Sequence, residues 1–275
     1  MRQCPLLDVK ARRGFTPVMT LTPKDLAILD SVDPALMLDQ TMRWSAINSG
    51  SRNLDGLAQM AGELTQAFAT LPGDMHLLDA AEDRIAGSAS GPLGQNIHIK
   101  VRPDAPVQIV LTGHMDTVFG MDHPFQSVSG VDERGVVNGP GVADMKGGIA
   151  VMLAALTAFE RAPVAAQMGY EVILNSDEEI GSGGSGPLIA QAAQGKRAAL
   201  TYEPAQTPEG MFASSRAGSG NFEIHVAGKS AHAGRNPQDG RNAVVAASDL
   251  ALRLSAARRD GLSINPARIT GGSPN

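Results

Sequence analysis

His114 and Asp116, Asp144, the pair Glu178–Glu179, and Glu203 each stand at the end of an apolar run, bracketed by Gly-rich turns. Carboxylates and an imidazole gathered at strand ends are the donor set of a two-metal hydrolytic site. A structural single-metal site more usually draws on Cys and His at short spacing. In LTGHMDTVFG (111–120) an extended backbone points residues two apart to the same side, so His114 and Asp116 can meet. A carboxylate beside a metal-bound imidazole fixes its tautomer and raises its basicity. In NGPGVADMKGG (138–148) Asp144 precedes a helix, where it can act as a simple N-cap or bridge two divalent cations with its two oxygens. NSDEEIGSGGS (175–185) is the most specific element. Adjacent glutamates repel unless cations or protons relieve them, and a general base (Glu178) beside a metal ligand (Glu179) uses both. A solvated acidic turn, or a helix start that attracts anions, is the plain alternative for that segment. TYEPA (201–205) adds Glu203, with Pro204 preventing ladder continuation. GKSAHAGRNPQDGRNA (228–243) sets His232 in a Gly/Ala turn in another part of the chain, so it is not read as a metal ligand.

These residues need a frame. Apolar residues recur at helical spacing over 34–49 and 53–71, with Asn53 as a cap for the second. The runs 96–102 and 107–112 predict strands joined by the turn PDAP, and the second, continuously apolar, suits a strand buried on both faces. Residues 145–162 predict the strongest helix, then 169–175 a strand, 182–194 a helix and 197–202 a strand. Strands alternating with helices imply an α/β layered domain, in which ligands gather beyond the carboxyl ends of the strands. His114, Glu178, Glu179 and Glu203 all follow such a run by a few residues. Past residue 216 the composition changes. Residues 221–227 alternate like a half-exposed strand, 241–258 predict an amphipathic helix, and 263–269 a short strand: the first half of a small α+β domain.

Bulk properties narrow the class. The 275 residues are 43% hydrophobic and 19% charged, with 31 Gly and a net charge of −5. That describes a globular chain with a core, not a nucleic-acid binder with a basic face. No run of 18 apolar residues predicts a membrane span, and MRQCPLLDVKARRG does not read as a secretory signal. The one cysteine, Cys4, cannot close an intrachain disulfide, which fits a reducing, cytoplasmic setting.

Taken in order, GHMDT, GPGVADMKGG, NSDEEIGS, YEPA and GKSAHAG resemble the M20 metallopeptidases, from about residue 36 to the end. HMDTVF, NGPG, DEEIGS and the EP pair look most like the glutamate carboxypeptidase group, beside acetylornithine deacetylase and succinyl-diaminopimelate desuccinylase. The resemblance implies a three-layer α/β/α zinc-peptidase domain with a mixed sheet, plus an incomplete, ferredoxin-like α+β lid and dimerisation domain. It implies two zinc ions per complete subunit, with cobalt or manganese as substitutes. His114 and Glu203 would hold one ion, Glu179 the other, and Asp144 both. Asp116 would orient His114, Glu178 would be the general base, and the peptide after Asp144 would be cis. His232 would reach the substrate carbonyl, from the partner subunit of a homodimer. Gly271, Gly272 and Asn275 match a GGxxN turn whose Asn faces substrate. The second zinc would need a further His, which in the family lies near the C-terminus of the catalytic domain and beyond Asn275 here, so the chain reads as a truncated gene product or a fragment of a longer reading frame.

The expected organisation is an extension over 1–32, a catalytic domain over 33–215 lacking its C-terminal part, and a partial lid over 216–275. The expected activity is hydrolysis of an amide bond in a small peptide or N-acyl amino acid, with zinc-activated water. A substrate carboxylate would need a cationic clamp, for which Arg216 and Arg235 are weak candidates. The alternatives are an N-acyl amino acid deacetylase or desuccinylase, and an inactive metal-binding or dimerisation fragment. A serine hydrolase is unsupported, since no GxSxG turn occurs.

Overall fold

The protein is described by a computed structural model covering residues 21–82, 91–207, 210–211, 218–232 and 234–272. It divides into two compact units, one formed by Met1–Asp83 with Ser90–Pro204, the other by Arg84–Ala89 with Ala205–Asn275.

The first unit carries helices α1 (Pro23–Asp30), α2 (Pro34–Ser45) and α3 (Leu54–Phe68), then strands β1 (Asp74–Leu78), β2 (Asn96–Val101) and β3 (Val107–His114). Helix α4 (Gly147–Phe159), strand β4 (Met168–Asn175), helix α5 (Gly186–Ala192) and strand β5 (Ala198–Thr201) complete it. Side chains set the helix starts. Asp33 accepts from the Ala35 and Leu36 amides, and Asn53 from that of Gly56. Helix α1 falls inside the supposed extension. Its Thr22-Pro23-Lys24-Asp25 start is a reciprocal capping box with proline at the first helical position.

The sheet has five strands in the order β1-β2-β4-β3-β5. β2 runs antiparallel to β1 and β4, while β3 is parallel to β4 and β5. Strands β2 and β3 follow each other in sequence, yet β4 lies between them. Both faces of β4 are buried: Val172, Ile173 and Leu174 are each fully enclosed. On one face α3 and α4 bring Leu57, Met60, Leu64, Ile149, Met152 and Leu156 against Ile97, Ile99, Leu111 and Val172. On the other, Leu188, Ile189 and Ala192 of α5 cover Val110 and Ile173. This is the three-layer α/β arrangement with a mixed sheet. The stretch Val142–Phe159 is long and apolar enough, at mean hydropathy 1.5, to pass for a membrane span. Its Ile149, Ala150, Met152 and Leu156 are buried in the sheet-facing core instead.

The second unit contains a single-turn 3₁₀ helix, Pro237–Asp239, and helix α6 (Ala243–Ala256), capped by Asn242 on the Val245 amide. The expected strands at 221–227 and 263–269 are not formed. Only the isolated bridges Lys229↔Arg241 and Arg259↔Leu262 occur there among the described residues. Strand geometry is held by a partner's ladder, and neither segment has one; Phe222 is 89% exposed. The strand–helix–strand reading of this region is therefore corrected to a single helix with turns.

Candidate metal centre

The carboxyl end of β3 and the connections after β4 and β5 converge. His114 ends β3 in register with Asn175 at the end of β4, and the Met115 amide donates to the Asn175 carbonyl at 2.8 Å. Strand pairing alone thus brings GHMD beside NSDEE. Gly148, in the first turn of α4, lets the segment after β5 approach, because a Cβ there would lie 1.9 Å from the Tyr202 carbonyl oxygen. That contact sets Glu203 over the start of α4.

His114 is buried and surrounded by acids. Its Nε2 lies 3.0 Å from Asp144 Oδ1, 3.7 Å from Glu203 Oε1 and 4.0 Å from Glu178 Oε2. Its Nδ1 faces the Asp116 backbone carbonyl at 3.1 Å and the Asp116 carboxylate at 3.3 Å. Both ring nitrogens therefore face acceptors, and a cation bound at Nε2 would leave the proton on Nδ1, where Asp116 accepts it. Ligand atoms of His114, Asp144 and Glu179 lie within 4.8 Å of one another. Among the described residues no second group of three such side chains closes to that spacing. One imidazole nitrogen with carboxylate oxygens suits zinc, cobalt or manganese.

Asp144 does not cap α4, the simple alternative for it. It has extended backbone (φ −121°, ψ 97°), makes no capping hydrogen bond, and is followed by a cis peptide to Met145. Its carboxylate is turned toward His114. Met145 and Lys146 anchor this segment inward. Met145 Sδ accepts from the His114 amide at 3.1 Å. Lys146 Nζ donates to the carbonyls of Trp44 and Ile47, at 3.1 and 2.9 Å, at and just beyond the C-terminus of α2.

Asp116 is fully buried and fully used. Oδ1 accepts from the Glu178 amide at 3.1 Å; Oδ2 accepts from the Glu179 amide at 3.1 Å and from Ser51 Oγ at 2.7 Å. Ser51 is a site residue that the sequence reading missed. It lies in the segment before α3, which is stitched to GHMDT through Ser49 Oγ donating to the Met115 carbonyl and the Thr117 amide donating to the Ser49 carbonyl. The serines of NSGSRN (48–53) are the signal, but small polar residues before a helix read first as caps.

The electrostatics follow from crowding. Burial works against protonation of His114, but the Asp116 carboxylate, with Glu203 and Glu178, outweighs it and lifts the ring to about 9. Burial raises Glu179 to about 7, reinforced by Asp144 and opposed by His114. Glu203 is raised by burial, with His114 opposing and Asp144 adding. Anions that hold protons beside an imidazolium are a site whose charge a divalent cation would balance.

His232 is exposed in the second unit, where its Nδ1 accepts from the Gly234 amide at 3.1 Å. Arg235 is exposed in the same turn. Asn275 and Arg216 lie outside the described residues.

The model of peptidase family M20/M25/M40 matches residues 110–265. Carboxypeptidase G2 of Pseudomonas sp. (strain RS-16) is 36% identical over 170 residues, covering 60% of this chain and 40% of that protein. Succinyl-diaminopimelate desuccinylase of Methylobacterium sp. (strain 4-46) is 33% identical over 141 residues, 48% of this chain and 35% of that one. The chain therefore spans no more than 40% of the length of these relatives. Among solved structures, human carnosine dipeptidase 1 superimposes with a TM-score of 0.51 at 19% identity, covering 66% of this chain and 41% of that one, a likeness of fold.

Proposed function

The chain belongs to peptidase family M20/M25/M40, and from that premise we propose that it forms the greater part of the catalytic machinery of a metal-dependent amidohydrolase acting on a small peptide or N-acyl amino acid. The observation that carries this is the closure of His114, Asp144 and Glu179 to within 4.8 Å, with Glu203 Oε1 3.7 Å from the same imidazole nitrogen. In this reading His114 and Glu203 would hold one cation and Glu179 the second, with Asp144 available to both. Divalent cations bound there would polarise a substrate carbonyl and lower the pKa of a water in the site toward ~7.

The chain's own residues supply the rest. Asp116 holds the His114 ring through Nδ1. Glu178, whose carboxylate is 47% exposed and 4.0 Å from His114 Nε2, stands free to take a proton from water and return it to the leaving amine. Its backbone is tied to Asp116, so the base is fixed at its root and open at its tip. His232 is assigned to the carbonyl oxygen of substrate and Asn275 to the substrate itself, both on the resemblance alone. A homodimer through the second unit belongs to the same reading, supported by the exposure of Val244, Val245 and Leu252 on α6.

The names of the relatives, a carboxypeptidase and a desuccinylase, support cleavage next to an amino acid and leave two acyl classes. The test compares hydrolysis of C-terminal glutamate amides with that of N-acetyl and N-succinyl amino acids, before and after chelation and after zinc is returned. Cleavage of glutamate amides that is lost on chelation and restored by zinc supports the carboxypeptidase reading. A preference for N-succinyl substrates moves it to a desuccinylase. Hydrolysis that survives chelation sinks the mechanism.

A further inference from the structure

Three acids follow one another after β4, and they do not share a fate. Glu178 and Glu179 turn outward to the metal centre, whereas Asp177 is completely enclosed. An Asp directly before a helical turn is expected to cap it, and Asp177 precedes the 3₁₀ turn Glu178–Ile180. It makes no such cap. Its carboxylate reaches past that turn instead. Oδ2 accepts from the Gly184 amide at 2.7 Å and the Ser185 amide at 3.2 Å, and Oδ1 from Asn175 Nδ2 at 3.3 Å. The Asp177 carbonyl accepts from the Ser182 amide at 2.7 Å. Asn175 also donates to Ser182 Oγ and Ser185 Oγ, at 3.3 and 3.0 Å.

One buried carboxylate therefore closes the loop 178–185 on itself. The loop needs such a clamp, because it contains two left-handed residues, Gly181 (φ 99°) and the non-glycine Ser182 (φ 57°). A buried charge without partners would be costly; here every donor around it comes from the loop or from the strand that feeds it. The two outward glutamates are thus held from two sides: their amides by Asp116, and the loop that continues from them by Asp177.

We infer that Asp177 is a positioning residue: it fixes the loop that aims Glu178 and Glu179, and so sets the affinity and geometry of the cation held there. The cation part rests on the functional reading above; the hold on the loop does not.

The test uses the chain with Asp177→Asn, which keeps the shape but sets an amide nitrogen against existing donors. Two measurements are made: cobalt titration followed by visible absorption, and amide hydrogen exchange over 175–186. The expected result is cobalt affinity weaker by roughly 10- to 100-fold with an altered spectrum, together with faster exchange at the Glu178, Glu179, Gly184 and Ser185 amides. Leu64→Ala, a cavity in the opposite layer of the core, controls for general loss of stability and should bind cobalt like the unaltered chain. If Asp177→Asn does not fold, Asn175→Ala, which removes one donor to the carboxylate, should show the same changes in smaller degree. Unchanged exchange at Glu178 and Glu179 would overturn the inference, as would cobalt affinity and spectrum equal to those of the unaltered chain. No cobalt binding by the unaltered chain would sink the metal reading, and exchange would still decide whether Asp177 holds the loop.

Discussion

The Asp116 carboxylate lies directly behind Glu179, with Oδ2 accepting the Glu179 amide at 3.1 Å while Oδ1 sits 3.3 Å from His114 Nδ1. One buried anion thereby ties an imidazole on one strand to the glutamate pair that follows another. The consequences can be measured.

Cation binding should be strongly proton-linked. At pH 7 the His114 ring, lifted to about 9, carries its proton, and Glu179, lifted to about 7, carries half of one. Ligation needs both groups, and the likewise raised Glu203, deprotonated, so uptake of cation at pH 7 should release roughly one or more protons per chain. Apparent affinity should climb with pH up to about 9. Calorimetric titration in buffers of different ionisation enthalpy counts the protons; a count of zero would remove His114 and Glu179 from the ligand set.

Neighbouring glutamates should fail differently. Glu178→Gln should retain cation and lose roughly 10²–10⁴-fold of turnover in the complete enzyme, as expected for a lost general base. Glu179→Gln should lose cation first and turnover with it. Metal content and rate measured on both variants separate the roles, and equal metal loss in the two would make Glu178 a ligand as well.

Ser51→Ala should destabilise the first unit. It removes a buried 2.7 Å hydrogen bond to a carboxylate that is wholly enclosed. Bonds to charged groups contribute about 1.5–3 kcal/mol. Urea unfolding should show that loss, together with weaker cation binding, because Asp116 positions both His114 and the glutamate amides. Wild-type stability would mean that a water replaces the hydroxyl.

Lys146→Met should change how stability depends on pH. Burial lowers the Lys146 ammonium to about 7 against the pull of Asp116. Between about 7 and the ordinary lysine value the unfolded chain binds more protons than the folded one, so this group makes stability rise with pH across that window. His114 acts in the opposite sense: its folded value is raised, and its contribution is present below its ordinary value and lost as pH rises through about 9. Lys146→Met removes the rising component, of at most about 1.4 kcal/mol per pH unit. Urea unfolding of both forms at pH 6.5 and 9.5 should show the variant losing relative stability at the higher pH. Parallel changes in the two forms would mean that Lys146 stays charged throughout.

Several levels of this molecule are plain in the sequence. Period and capping residues mark α2, α3, α4 and the strands β2 to β5, because each is long or apolar enough to be set by its own residues. Strand β1 escapes, since DMHLL scarcely alternates and is largely exposed at the sheet edge. Helix α1 was legible in its Thr-Pro-x-Asp start, although its apolar pattern is weak. The strands expected after residue 216 failed because alternation describes a face, and a face becomes a strand only beside a partner.

The order of acidic and imidazole residues, and their position after apolar runs, belongs to the sequence by itself: local spacing decides which side chains stand at strand ends. Tertiary structure alone decided that β4 enters between β2 and β3, which brings Asn175 beside His114. It alone decided that Asp144 turns from capping to His114, and that Ser51, Lys146 and Asp177 face inward to hold the site. Those outcomes come from pairings and hydrogen bonds between distant segments, whose partners have no fixed spacing along the chain.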